Sequence, residues 1–188
     1  MSWSRRRVFI GEVYTNDGQR EKTLGTCSGG VLHLLDGLTW SAARCPTIAS
    51  LELTILNNDV LVNLNGLQGI TYVGDTTSSV VEGVTIERND ALLNLTGLDN
   101  LTTVGNDCII ENNGTLISLQ GLDGLTTVGD NFYIQLHSSL TVLDGLESLT
   151  TVGGRLKIQD NHSLCESSAE EVADTISYGS RSVYDEGC

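Results

Sequence analysis

The sequence predicts a mainly β fold: a short parallel β-helix, a leucine-rich-repeat-like solenoid, closed by a C-terminal capping helix. Two observations carry this. The phrase Gly-Leu-x-x-Leu-Thr-Thr-Val-Gly recurs at Gly97–Gly105, Gly121–Gly129 and Gly145–Gly153, with a looser copy at Gly66–Gly74. The isoleucines Ile86, Ile110, Ile134 and Ile158 mark one point of successive units 24 residues apart, within the ~20–29 residues of leucine-rich-type repeats. A unit of that size cannot bury its own apolar face and must stack on its neighbours.

Taken in order, residues 1–26 follow no pattern and are expected to be poorly defined. Arg5-Arg6-Arg7-Val8-Phe9-Ile10 resembles the start of a twin-arginine export signal, but the polar run from Gly11 to Asp17 stands where the apolar stretch should follow. Residues 27–52 contain apolar residues out of step with the repeat and read as an N-terminal cap, with Trp40 shielding the first turn. Residues 53–164 read as a five-turn solenoid. The step from Ile55 to Ile86 is seven residues longer than the others, and the excess, 75–81, reads as a loop bulging from one edge.

Each turn opens on a short alternating strand, with Leu53/Ile55, Val84/Ile86, Cys108/Ile110, Phe132/Ile134 and Leu156/Ile158 facing inward. Three residues past each marker stand Asn58, Asn89, Asn113, His137 and Asn161. An inward Asn column implies amides bonded to the adjoining turn, because an unpaired buried amide costs about 1–3 kcal/mol. Leucines then repeat at 61, 92, 116, 140 and 164, and at 64, 95, 119 and 143, before the Gly-Leu pair and a last inward Ile70, Leu101, Leu125 or Leu149. Gly74, Gly105, Gly129 and Gly153 are expected to take positive φ at the closing corner. Residues 165–188 read as a helical cap: Ser167 and Glu170 fit a capping box, and Ala169, Val172, Ala173 and Ile176 form an apolar stripe.

Composition narrows the function. The chain of 188 residues carries 24 acids against 10 bases, a formal charge of −14, which argues against nucleic acid and anionic membrane as partners. No segment is long enough to span a bilayer, so no membrane insertion is expected. Of the five cysteines, Cys108 sits in an inward column and reads as a buried free thiol. Cys27 with Cys45, and Cys165 with Cys188, would each close a loop of about 20 residues, worth ~3 kcal/mol in the chain-entropy model. Zinc is the competing reading, but Cys-x-x-Cys pairs are missing, so disulfides and an oxidising compartment are favoured.

The unit Leu-x-Ile-x-x-Asn-x-x-Leu-x-x-Leu-x-Gly-Leu-x-x-Leu-Thr-x-Val-Gly resembles the receptor L domain over roughly Leu53–Leu164, closest in pattern to secreted or lipoprotein-type bacterial members. The spacing Asn-x-x-Leu differs from the Asn-x-Leu of ordinary leucine-rich repeats. The resemblance implies a right-handed β-helix and an extracellular or cell-surface location, periplasmic or outer-membrane-associated if bacterial. It names no ligand, because fold alone does not specify one.

Candidate chemistry is sparse. His33, His137 and His162 lie in different turns or caps, and His137 reads as a structural member of the Asn column. Glu87 and Glu111, stacked one turn apart, are the nearest approach to a carboxylate pair such as a carbohydrate-active enzyme needs, but fit a solvated face better. A file of Thr-Thr pairs suggests ice binding, yet the pairs are adjacent, so strand alternation should turn only one of each outward. No catalytic residue, metal or cofactor is therefore expected, and the chain reads as a non-enzyme. The outward face of the first strand offers Ile109, Tyr133 and Leu136 as an apolar patch rimmed by Glu111, Gln135 and Arg88, the composition of a protein-binding hot spot. The expected function is an extracellular binding or adhesion module recognising a protein or glycan through that face. A ligand-free structural spacer is the alternative, with ice binding or carbohydrate chemistry behind it. Four glycosylation sequons begin at Asn94, Asn100, Asn113 and Asn161, and the last two fall on inward positions.

Overall fold

In the computed structural model, residues 52–74 and 83–184 are described throughout, and the segment before them only as short strands. Those early strands are β1 (Glu12–Tyr14), β2 (Arg20–Lys22), β3 (Val31–Leu35), β4 (Thr39–Trp40) and β5 (Ile48–Ser50). The repeats supply β6 (Glu52–Leu56), β7 (Ile70–Val73), β8 (Val84–Glu87), β9 (Thr103–Val104), β10 (Cys108–Glu111), β11 (Thr127–Val128), β12 (Phe132–Gln135) and β13 (Thr151–Gln159). Helix α1 (Glu166–Ala173) and strand β14 (Ser177–Tyr184) follow.

The chain is a parallel β-solenoid with two ladders of strands. One runs β3-β6-β8-β10-β12-β13 and the other β5-β7-β9-β11-β13. Register is in step with the repeat: Leu53, Val84, Cys108, Phe132 and Leu156 lie side by side, as do Ile55, Ile86, Ile110, Ile134 and Ile158. Apart from Leu61, Leu143 and the terminal Ile176 and Val183, the core hydrophobics are at most 2 % exposed. Each such Leu or Ile gains about 1.5–3 kcal/mol from burial, and no single coil could provide the cover alone. Strand β13 belongs to both ladders, running unbroken through Gly153-Gly154 at the corner where the strands of the other coils are interrupted.

The segment read as an N-terminal cap contributes a strand to each ladder, β3 beside β6 and β5 beside β7. Trp40, the Cys27–Cys45 pair, the 75–81 insertion and Cys188 lie outside the residues whose side chains are described. At the other end the helix forms where the sequence places it, but begins at Glu166 with Cys165 as its N-cap and without a side-chain capping bond, so the Ser167–Glu170 box does not form. The start is fixed from upstream: Leu164 is still held in the inward column by its bond to the Asn161 carbonyl, and the chain turns into the helix directly after it. Ala169 and Ala173 are fully buried, and Ile176 packs beyond the helix end. Strand β14 then lies parallel to β13 along both ladders, with Val183 opposite Ile158 and Arg181 opposite Leu156. Arg181 replaces an aliphatic of the inward column and reaches the acids Asp174 and Glu170, tying β14 to the helix.

The corner glycines differ from expectation. Gly74 has positive φ, as do Gly66, Gly97, Gly121 and Gly145 of the Gly-Leu pairs, whereas Gly105, Gly129 and Gly153 do not. Gly129 is required for another reason: a Cβ there would overlap the backbone carbonyl oxygen of Gly105 one coil below. The left-handed residues at the opposite corner are Asn57, Arg88, Asn112, Leu136 and Asp160, one in each coil, directly before the polar column.

Candidate functional site

The polar column is a continuous ladder. Asn89 N–H donates to Asn113 Oδ1 (2.9 Å) and Asn58 N–H to Asn89 Oδ1 (3.1 Å), while the Asn89 and Asn113 amides donate onward to the Ile55 and Ile86 carbonyls (3.1 and 3.0 Å). His137 occupies its place in the same way, so the structural reading of this histidine stands. Asn113 and Asn161 are fully buried and hydrogen-bonded, which makes their sequons architectural. A second, shorter ladder at the other corner escaped the sequence reading: Asn131 donates to Asp107 Oδ1, and Arg155 N–H donates to Asn131 Oδ1.

The face of the first ladder carries the predicted patch, partly assembled. Ile109 and Tyr133 are register partners, both half-buried, and Glu111 and Gln135 are partners joined by a 2.9 Å bond from Gln135 Nε2. Leu136 follows at the left-handed corner and is 44 % exposed. Arg88 meets the patch at its edge, its N–H donating to the Glu111 carbonyl (3.3 Å), but it stands apart from Leu136. It sits at the same corner two coils away, with Asn112 between, and pairs with its neighbour Glu87. Lys157 takes the rim instead, its Nζ 5.9 Å from the centre of the Tyr133 ring. Its column position, one repeat beyond Tyr133, was the signal for it. Thr54, the register partner of Thr85 between the inward Leu53 and Ile55, is also buried, and its hydroxyl donates to Glu52 (2.7 Å).

Glu87 and Glu111 are stacked as expected, but each has a partner, Glu87 in Arg88 and Glu111 in Gln135. The threonine file also differs from expectation. Thr102 and Thr126 are exposed, and their neighbours Thr103 and Thr127 remain partly exposed, because the strand begins only at the second of each pair. The hydroxyls of Thr102, Thr126 and Thr150 donate to the carbonyl of the threonine one coil earlier, at 2.9 to 3.1 Å. Those donors are spent on the solenoid, which leaves these hydroxyl oxygens as acceptors towards solvent.

An exposed aliphatic file on the third side was missed. Val62, Leu93 and Ile117 are linked in sequence along the axis by backbone bonds, and Thr141 continues the series. Each stands four residues after its ladder Asn, so the repeat alone could have revealed it. Cys108 is a buried free thiol, and burial pushes its pKa far up. Cys165 is disulfide-bonded. Among the described residues no group of three or more His, Cys, Asp or Glu side chains could hold a metal ion, and no helix is long and apolar enough to cross a membrane. No family model, curated protein or solved structure matches this chain.

Proposed function

We propose that the chain is a non-enzymatic extracellular recognition module of receptor-L-domain type, binding a protein or glycan through the outward face of the first ladder. The observation that carries this reading is the pairing of Ile109 with Tyr133 on a rigid sheet, extended by exposed Leu136 and rimmed by Lys157, Glu111 and Gln135. An aromatic and aliphatic centre held by parallel strands loses little entropy on binding, and its polar rim can order a partner. The pairing of Cys165 with Cys188, and of Cys27 with Cys45, belongs to the same proposal, since both suit an oxidising location.

The test is capture from the native extracellular milieu on immobilised protein, run beside a Tyr133→Ala/Ile109→Glu variant. A partner held by the wild type and lost by the variant supports the reading. A partner retained by the variant overturns the proposed face, and capture of nothing by either favours a spacer.

A further inference from the structure

We propose that the groove between helix α1 and the adjoining coil, together with the aliphatic file leading to it, binds an extended aliphatic peptide segment of a partner protein through a basic side chain. The groove encloses about 390 Å³. Its apolar lining includes Val142, Leu146 and Val172, and Asp144, Glu147 and Glu171 supply three carboxylates. That volume falls in the range of small-ligand pockets and accommodates one long side chain with its backbone.

Three observations define the occupant. Exposed aliphatic surface is concentrated here: Val60 (64 % exposed), Val62, Leu93, Ile117 and Val142 are five of the seven large apolar side chains exposed among the described residues. The file is ordered, because Leu93 N–H bonds the Val62 carbonyl, Ile117 N–H the Leu93 carbonyl and Thr141 N–H the Ile117 carbonyl, at 3.1 to 3.2 Å. It therefore advances ~4.8 Å per coil and reaches Thr141, the residue before Val142 of the groove lining, after ~14 Å, the length of four or five extended residues. Charge sets the rest. Arg88, Arg155, Lys157 and Arg181 are the cations of the fully described region, and none lines the groove. Arg181 is already engaged by Asp174 and Glu170. Glu147 is held by the Gly145 N–H, which fixes one carboxylate at the rim. Among the described residues no cation is placed to meet these carboxylates, which leaves them to a basic ligand, and the same carboxylates repel nucleic acid and anionic lipid.

The test is fluorescence polarisation with labelled six-residue peptides of alternating Leu and Ser, carrying Arg at either end, against versions with Gln or Glu in place of Arg. One Arg peptide should bind saturably, the Gln version about 2–5-fold more weakly and the Glu version weaker still, as expected for a rim ion pair. Ile117→Ser and Glu171→Gln, both at exposed positions, should each lower affinity for the Arg peptide, with unchanged thermal melting confirming the fold. Tyr133→Ala/Ile109→Glu should leave it unchanged, so this site and the first-ladder face are separable. The proposal is overturned if neither Arg peptide saturates, if Arg and Glu versions bind alike, or if binding falls with the first-ladder variant and not with the groove variants.

Discussion

His137 and Asn113 are joined as though both were asparagines. The Asn113 N–H donates to His137 Nδ1 at 3.1 Å, and His137 Nε2 lies 3.2 Å from the Ile110 carbonyl. Nδ1 lies closer to the Asn113 N–H than to the Asn113 carbonyl (3.3 Å), and the neutral tautomer with its proton on Nε2, donated to Ile110, satisfies the shorter contacts. The geometry copies Asn113 in the coil below, whose position accepts a neighbour's N–H and donates to the Ile86 carbonyl. The histidine is thus an isostere of the ladder amide, and its neutrality is a condition of the fold.

Acid should therefore destabilise the solenoid through this residue. Burial lowers the His137 pKa to about 4 from its ordinary 6.5. With the folded value below the unfolded one, the unfolded chain takes up the proton first, so stability is complete above about pH 6.5 and drains away as pH falls towards 4. The span corresponds to roughly 3 kcal/mol at ~1.4 kcal/mol per unit. Denaturant titrations at pH 7.5 and pH 4.5 should show the loss for the wild type and a clearly smaller one for His137→Asn. Equal losses in both proteins would place the acid sensitivity elsewhere.

Leu136 is a different case, a residue held against its own preference. Its φ of 63° lies in the left-handed region, where a side chain with a Cβ is disfavoured by about 1–2 kcal/mol. Because the side chain is exposed, its removal leaves little cavity. Leu136→Gly should then stabilise the protein, or at worst leave it unchanged, offsetting relief of strain against extra freedom of the unfolded chain by about 0.5–1 kcal/mol. The measurement is the denaturation midpoint. A strain retained at an exposed aliphatic fits a surface kept for contact, and the same variant should weaken capture of any first-ladder partner.

The solenoid was legible because its signal is repeated: a fixed 24-residue step puts Ile86, Ile110, Ile134 and Ile158 in one column, and one polar residue per unit at a constant offset forms the ladder. The left-handed corner was only partly legible, since Asn57, Asn112 and Asp160 tolerate that region whereas Arg88 and Leu136 give no such cue. The glycine signal was read correctly as a constraint but assigned to φ, because contact between Gly129 and Gly105 exists only once the coils are stacked. Strand β14 lacks the repeat's leucines: Tyr178, Arg181 and Val183 stand opposite the inward Val152, Leu156 and Ile158. The candidate sites divide in the same way. Ile109 and Tyr133 follow from strand alternation, whereas the groove depends on how α1 packs, which no local pattern encodes.

The Cys108 thiol should be inert in the folded protein. It is fully buried between Val84 and Phe132 in the inward column, and both burial and the nearby Asp107 oppose the thiolate. Since the thiolate is the reactive form, an aromatic disulfide reagent should fail to label it under native conditions and label it promptly in denaturant. Cys108→Val repeats the residue already used at Val84 and should cost less than about 1.5 kcal/mol, while Cys108→Ser buries a hydroxyl and should cost about 1–3 kcal/mol. Rapid native labelling would mean that this coil opens locally.

Gly129→Ala separates the two explanations for the corner glycines. If positive φ were the requirement, Gly129 could accept alanine freely, for its φ is not in the left-handed region. Stacking predicts the reverse: the new Cβ meets the Gly105 carbonyl, and Gly153 stands above Gly129 in the same relation. Backbone cannot swing aside as a flexible side chain would, so the coils must separate, straining the Gly129 N–H bond to the Val104 carbonyl (2.8 Å). The expected cost is about 2 kcal/mol or more, at the upper end for overpacking. By contrast Thr127→Ala, two residues away on a partly exposed position, should change the melting midpoint little. Equal and small effects from both substitutions would show that the coils at this corner are not packed backbone to backbone.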